Sequence, residues 1–256
     1  GSTGKSLAIQ AITQVLETRY SVHKDTIDQH GKISLPLALA GLKPSHDFVV
    51  LKLATTHPGE MATMVNAIKP DVGVLTHLGD LSSNTFESTE LVIREQETLI
   101  EQLGETGLAI LNFDIDRVRA LANRTYAQIR TLGITSFDAD IMAYGTVVGL
   151  ENVGFDLRSM GERTIAHRIP VLGKQSIYGI LSAIAVGLHY EISIEESIDT
   201  LSELRPLPGR MNPLSGKSNC LLIDDTYSAN TESTLDALDW LGGVKSDDGY
   251  GRTIVV

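Results

Sequence analysis

The sequence predicts an α/β protein: a mostly parallel sheet covered by helices on both faces, a small antiparallel sheet, and the start of a second α/β unit. Three observations predict this. Phe48-Val49-Val50-Leu51, Val72-Gly73-Val74-Leu75 and Leu108-Ala109-Ile110-Leu111 are short apolar runs without alternation, as strands buried on both faces require. Helically spaced segments lie between them, which makes βα units. Gly4-Lys5-Ser6 opens an amphipathic helix, the position in which such a tripeptide binds phosphate.

The first element is Gly1-Ser2-Thr3-Gly4-Lys5-Ser6. Glycines let consecutive N–H groups turn towards one anion, a lysine adds a point charge, and a hydroxyl holds Mg²⁺. A nucleotide is therefore expected, with its phosphates on Gly1, Thr3, Gly4, Lys5 and Ser6 and the metal on Ser6. A chance tripeptide in a flexible terminus is the bland alternative, and it is weakened by Leu7, Ile9, Ile12, Val15 and Leu16 at helical spacing directly after the loop. The full P-loop spacing would place its first glycine, and a buried strand, before residue 1, so the chain reads as the interior of a longer protein.

Met61, Met64, Val65 and Ile68 mark the next helix, as core residues rather than ligands, and Leu91, Val92, Leu99, Ile100 and Leu103 mark another. From about Asp138 to Leu172 short β-like pieces replace helical periods, and a small antiparallel sheet is expected there. An apolar helix spans Ser176 to Leu188. A shorter one begins at Ile194, where Ser193 and Glu196 fit a capping box. Arg205-Pro206-Leu207-Pro208-Gly209-Arg210 cannot continue a helix and sets a boundary between units 1–208 and 209–256. Beyond it Cys220 to Ile223 reads as a strand, Asp224 to Asn230 as a turn, Thr231 to Leu241 as a helix and Thr253 to Val256 as the next strand.

Composition agrees. The 42% hydrophobic content supports a core, and no apolar run reaches the length of a membrane span. A net charge of −11 argues against nucleic acid and anionic membranes, while leaving a local nest of N–H groups free to bind a nucleotide. The single cysteine, Cys220, is expected to pack in its strand, and disulfides and zinc ribbons are excluded. No secretory or transit segment is visible, and a cytoplasmic location is expected.

Six ordered segments together resemble the Mur ligases: Gly1 to Ser6, Ser34-Leu35-Pro36-Leu37-Ala38-Leu39, His57-Pro58-Gly59-Glu60-Met61, Pro70-Asp71-Val72-Gly73-Val74-Leu75-Thr76, Pro208-Gly209-Arg210, and Asp224-Asp225-Thr226-Tyr227-Ser228-Ala229-Asn230. The last is the most specific. The resemblance covers nearly the whole chain and implies an ATP-dependent amide ligase of peptidoglycan precursor synthesis, using Mg²⁺. It also implies a UDP-muramoyl-peptide and a D-amino-acid dipeptide as substrates, with residues 1–208 as the central ATP-binding domain and 209–256 as the beginning of a Rossmann-like domain. Lys5 and Arg210 would then be the catalytic cations, and Gln175, Arg210 and Asp225 would contact ATP. Arg210 reads equally as a hinge residue paired with a surface carboxylate. Asp225 reads also as a turn residue capping the helix after it.

The chain departs from the family pattern at the metals. Lys52 in Leu51-Lys52-Leu53-Ala54 stands where the family has an acidic ligand, Ser82 stands at the family's histidine position with His77 and Asp80 nearby, and Gln96 stands where a carbamylated lysine is expected. Gln175-Ser176 replaces an adenine-side His-Asn. Two readings follow: a ligase with a rebuilt metal site, in which Lys52 replaces a second Mg²⁺, or a degenerate nucleotide-binding scaffold. An unrelated GTPase is disfavoured, since no Asn-Lys-x-Asp motif is present.

Overall fold

The computed structural model describes residues 4–24, 34–78, 86–159, 161–217, 220–244 and 253–256. Helix α1 (Lys5–Leu16) buries Ile12, Val15 and Leu16 of the expected apolar face, together with Ala8 and Ala11, while Leu7 and Ile9 are only half-buried. It leads through β1 (Val22–Lys24) and α2 (Ser34–Ala40) to β2 (Phe48–Val50), which pairs in parallel with β1. Then come α3 (Glu60–Ile68), β3 (Val72–Leu75), α4 (Thr89–Glu101), β4 (Leu108–Asn112), α5 (Asp116–Ala120) and β5 (Gln128–Gly133). The three expected strands and the helices between them form where the apolar runs and helical periods put them.

β6 (Ile141–Val148), β7 (Val153–Ser159) and β8 (Glu162–Ile169) make the expected antiparallel section. It is joined edge to edge to the parallel strands rather than standing apart, because Leu132 and Gly133 of β5 pair in parallel with Ile141 and Met142 of β6. The result is one six-stranded sheet in the order β3-β4-β5-β6-β7-β8. β4 shows why its run had no alternation. Leu108 and Ile110 face the core built with α1 and α6 (Ser176–His189), while Ala109 and Leu111 face a second core under α4 and α5.

α6 packs closely on α1, with Gly179 against the backbone of Ala8 and Gly187 against Val15. α7 (Ile194–Leu201) has half of the capping box that its sequence suggested. Ser193 Oγ accepts from the N–H of Glu196, whereas the Glu196 carboxylate binds the Arg19 guanidinium, a longer-range ion pair. After the 205–210 boundary, β9 (Asn212–Ser215) pairs antiparallel with β10 (Leu221–Asp224), and α8 (Thr231–Gly243) follows, capped reciprocally by Asn230 and Ser233.

Two local expectations are corrected. Cys220 lies just outside β10 and is exposed, because the strand begins one residue later and its neighbour Lys217 closes a turn on its N–H. Residues 253–256 form no strand; they are exposed and unpaired among the described residues.

β1 and β2 form a sheet of their own. Between β2 and β3 lies a cavity of about 340 Å³, floored by Ala8, Ile9, Ile12 and Leu16 of α1 and roofed by Met61, Ile68 and Leu99 of α3 and α4. Both strands begin at its far end: Phe48 stacks edge-on against Tyr20, and the Asp47 carboxylate accepts from Ser21 N–H, beyond the last turn of α1. β3 ends near the start of α1, since a Cβ placed on Gly4 would lie 3.8 Å from Thr76 Oγ1.

Candidate functional site

Gly1, Ser2 and Thr3 lie outside the described residues. Gly4 precedes α1 with φ 77°, a left-handed conformation suited to glycine, and no side chain caps the helix. Helix geometry leaves the first-turn N–H groups without intrahelical acceptors, so the start of α1 offers donors and a positive dipole end. Thr76 brings a buried hydroxyl beside Gly4, and its carbonyl accepts from Asn112 Nδ2 at 2.8 Å. Both residues stand at the C-terminal ends of parallel strands, where open α/β sheets hold ligands. Neither was singled out as a site residue; the signal was their place directly after an apolar run.

A cavity of about 560 Å³ opens between the start of α1 and the segment after residue 205. Its wall includes Gly4, Ser6, Gln175, Arg210, Asp225, Asn230 and the α8 residues Asp236 and Trp240. Five of the expected site residues thus surround one space, although they span positions 4 to 225. The volume lies within the usual range for small-molecule and cofactor pockets.

The Arg210 and Asp225 positions come from two interlocked turns. Gly209 has φ 70°, and a Cβ there would lie 2.9 Å from Tyr227 Cβ, so glycine is required twice over. Its N–H donates to Asp224 Oδ2 (3.2 Å) and its carbonyl accepts from Tyr227 N–H (2.9 Å). Met211 N–H donates to Asp225 Oδ1 at 3.0 Å. The Arg210 guanidinium lies 4.0 Å from the centre of the Tyr227 ring, a cation–π contact. Burial raises the Asp225 pKa, against the Met211 N–H and the Arg210 charge, which lower it. Asp225 does not cap α8; Asn230 does, its side chain accepting from Ser233 N–H at 2.8 Å. Gln175 Nε2 donates to Asp236 Oδ1 at 3.1 Å, and Trp240 Nε1–H donates to the Gly149 carbonyl at 3.2 Å, so both halves of the wall are tied together.

Lys5 departs from this grouping. It lines the 340 Å³ cavity on the other side of the loop, together with Lys52, Thr76 and Gln96. Ser82 and Asp80 lie outside the described residues. Glu60, Glu95 and Glu97 lie on α3 and α4, and Glu60 Oε1 is buried without a hydrogen-bond partner among the described residues. Glu60 accepts from the N–H groups of Thr56 and His57, and Glu95 accepts from those of Gly59 and Met61. Glu97, fully buried, accepts from Arg117 Nε (2.6 Å) and Arg124 Nη1 (3.0 Å). No group of three or more His, Cys, Asp or Glu able to hold a metal occurs among the described residues. The Ser6 hydroxyl suits one Mg²⁺ completed by phosphate oxygens and water, the usual manner for this ion. Among the described residues lining this part of the cavity, Lys52 brings an ammonium and Gln96 an amide in place of anionic ligands.

A family model described as the Mur ligase middle domain matches residues 1–187. The UDP-N-acetylmuramoyl-tripeptide–D-alanyl-D-alanine ligase of Bacillus subtilis is 28% identical over 256 residues, covering 100% of this chain and 54% of the relative. The enzyme of the same name from Synechocystis is 30% identical over 268 residues, covering 99% of the chain and 56% of its own length. Among solved structures, MurF from Acinetobacter baumannii superposes with a TM-score of 0.86 at 22% identity, over 95% of this chain and 53% of that one. The MurF ligase from Thermotoga maritima in complex with ADP gives 0.85 at 22% identity, over 95% and 56%. These structural likenesses establish the fold. The chain spans about half the length of the curated relatives it matches.

Proposed function

Because the chain belongs to the Mur ligase family, matched through its middle domain, we propose that it is the ATP-handling part of an amide-forming ligase of peptidoglycan precursor synthesis. The observation that carries this reading is the 560 Å³ cavity that gathers Gly4, Ser6, Gln175, Arg210 and Asp225. Nucleotide phosphates rest on the loop and the start of α1, where N–H donors and the positive helix end converge, with Lys5 on the side of the 340 Å³ cavity. Ser6 would hold Mg²⁺, which would supply charge neutralisation at the phosphates. Arg210 and Asp225 reach the nucleotide from the segment beyond the 205–210 boundary, Arg210 steered by the Tyr227 ring, and Gln175 lies on the base side. Residues 1–208 are the central domain and 209–256 begin the next.

The substrates proposed are ATP, a UDP-muramoyl-peptide and a D-alanyl-D-alanine-like dipeptide, in the cytoplasm. Among the described residues no helix is long and apolar enough to cross a membrane. A carboxylate oxygen of the muramoyl peptide attacks the terminal phosphorus as the bond to ADP breaks. The dipeptide amine then attacks the acyl carbon, the carbon–oxygen bond to phosphate breaks, and the amine sheds a proton as the amide forms. The protein's part is positioning and charge neutralisation, since two anions must meet.

The test is phosphate release, with mass detection of the joined product, by the whole protein supplied with UDP-muramoyl-tripeptide, D-alanyl-D-alanine and Mg·ATP. Product is expected, with a loss of at least about a hundredfold in Lys5→Ala. A second reading, a nucleotide-binding scaffold without ligase activity, is favoured by the missing carboxylate cluster among the described residues. ATP binding without product from any muramoyl-peptide and amino-acid pair selects it.

A further inference from the structure

The end of β4 carries an amide where the apolar strand gives no reason for one. Leu108 to Leu111 are buried, and Asn112, which closes the strand, is only 1% exposed. Burying an amide is costly unless its donor and acceptor are bonded. Both are. Asn112 Nδ2 donates to the Thr76 carbonyl at 2.8 Å, and Asn112 Oδ1 accepts from Asp114 N–H at 3.0 Å, so the chemistry of the partners fixes which way the amide faces. The Asp114 carboxylate accepts from Tyr178 Oη of α6 at 2.7 Å and from the N–H groups of Ile134, Thr135 and Ser136 after β5. A polar plate therefore joins the ends of β3, β4 and β5 to α6, and a bonded network of this kind is rigid.

Two contacts aim the plate at the phosphate-binding loop. Thr76, the residue that Asn112 grips, is buried, lines the 340 Å³ cavity with Lys5, and has its Oγ1 only 3.8 Å from where a Cβ on Gly4 would lie. Gly179, the neighbour of Tyr178, packs on the backbone of Ala8, one turn into the helix that follows the loop. A threonine hydroxyl has a donor hydrogen, and an anionic phosphate oxygen is a strong acceptor for it. Where that hydroxyl stands depends on the peptide that carries it. The Asn112 bond sets the Thr76 peptide at the strand end, and with it the direction of the side chain.

We infer that Thr76 Oγ1 donates a hydrogen bond to a phosphate oxygen of the bound nucleotide, and that Asn112 is the positioning residue that presents it. The inference rests on the nucleotide reading above and adds to it two residues from outside the loop.

The experiment is calorimetric titration of the whole protein with Mg·ATP, for Thr76→Val, Thr76→Ser, Asn112→Leu and the Thr76→Val, Asn112→Leu pair, each at a temperature below its thermal midpoint. Thr76→Val keeps the shape and loses the hydroxyl; it is expected to weaken ATP about tenfold, the scale of one hydrogen bond to a charged group, with Thr76→Ser within about threefold of the unaltered protein. Asn112→Leu should weaken ATP about as much as Thr76→Val does, and the pair should lie within about twofold of Thr76→Val alone, because a residue that acts through Thr76 then has nothing left to present. A merely structural amide behaves otherwise. Its loss lowers the thermal midpoint while ATP affinity holds, or its effect on affinity multiplies with that of Thr76→Val; either result overturns the role of Asn112. Unchanged ATP affinity in Thr76→Val overturns that of Thr76. If Asn112→Leu does not fold, Asn112→Ser takes its place in the same cycle with the same criteria. Failure of the unaltered protein to bind ATP is a different result, and overturns the nucleotide reading itself.

Discussion

At the scale of single residues, the Asp114 carboxylate organises the turn after β4. It accepts from the N–H groups of Ile134, Thr135 and Ser136, from Thr135 Oγ1, and from Tyr178 Oη at 2.7 Å. Burial opposes its ionisation, but these donors outweigh burial and hold its pKa at about 2, against an ordinary 3.8. A carboxylate with a depressed folded pKa stabilises fully above its unfolded value, and that stabilisation is lost as pH falls from 3.8 towards 2. Denaturant midpoints measured across this window should fall in the unaltered protein, and the fall should be smaller in Asp114→Asn. Glu97 gives a second prediction. It is fully buried while Arg117 and Arg124 keep about a third of their surface. Glu97→Gln leaves cations that water can still reach and should cost about 2 kcal/mol. Arg117→Ala with Arg124→Ala strands a buried anion and should cost about 3–5 kcal/mol in urea unfolding. None of this was legible in the sequence, because Asp114 and Glu97 find partners some 20 residues and more away, a relation that carries no local period.

At the scale of elements, α1 and α6 meet through absent side chains. A Cβ on Gly187 would lie 2.9 Å from both Ser197 Oγ and Val15 Cγ1, and one on Gly179 would lie 3.3 Å from Ala8 N. Gly187→Ala is therefore expected to lower stability by about 1–3 kcal/mol through overpacking. Gly104→Ala, with nothing within 4 Å, should stay within about 0.5 kcal/mol. Gly179→Ala should in addition weaken nucleotide binding, since Ala8 sits one turn into the helix that begins at the phosphate-binding loop. Thermal melts and nucleotide titration of the three variants check this. The helices themselves were legible because one face of each is apolar at helical spacing, as in α1 and α4. The junction of β5 with β6 was not, because an edge pairing of two residues leaves no mark on the composition of either strand. Half of the box at Ser193 failed for a related reason: Arg19 competes for the Glu196 carboxylate from 177 positions away.

At the scale of the molecule, the segment beyond residue 205 is held on the central unit by a few polar ties, Gln175 to Asp236 and Trp240 to Gly149 among them, whereas the central unit holds itself with two apolar cores. Local opening is cheapest where few apolar contacts must break. Trp240 is the only tryptophan and only 7% exposed. Its emission should shift to the red at lower urea than the loss of far-ultraviolet helical signal, and the gap should widen in Gln175→Ala. Coincident transitions would contradict this. The gathering of Gly4, Ser6, Arg210 and Asp225 could be read as motifs in sequence but not as a shared wall, because their meeting depends on how that segment docks; Lys5 facing the other cavity follows from the same three-dimensional fact. The space between β2 and β3 has a consequence of its own. Two strand edges look at each other across an apolar trough with helices above and below, each with a row of backbone donors and acceptors on the open side. Such edges recruit extended chain from any source. One strand threaded between them would weld the two sheets into a single continuous layer, with its two faces covered by the helices that now floor and roof the cavity.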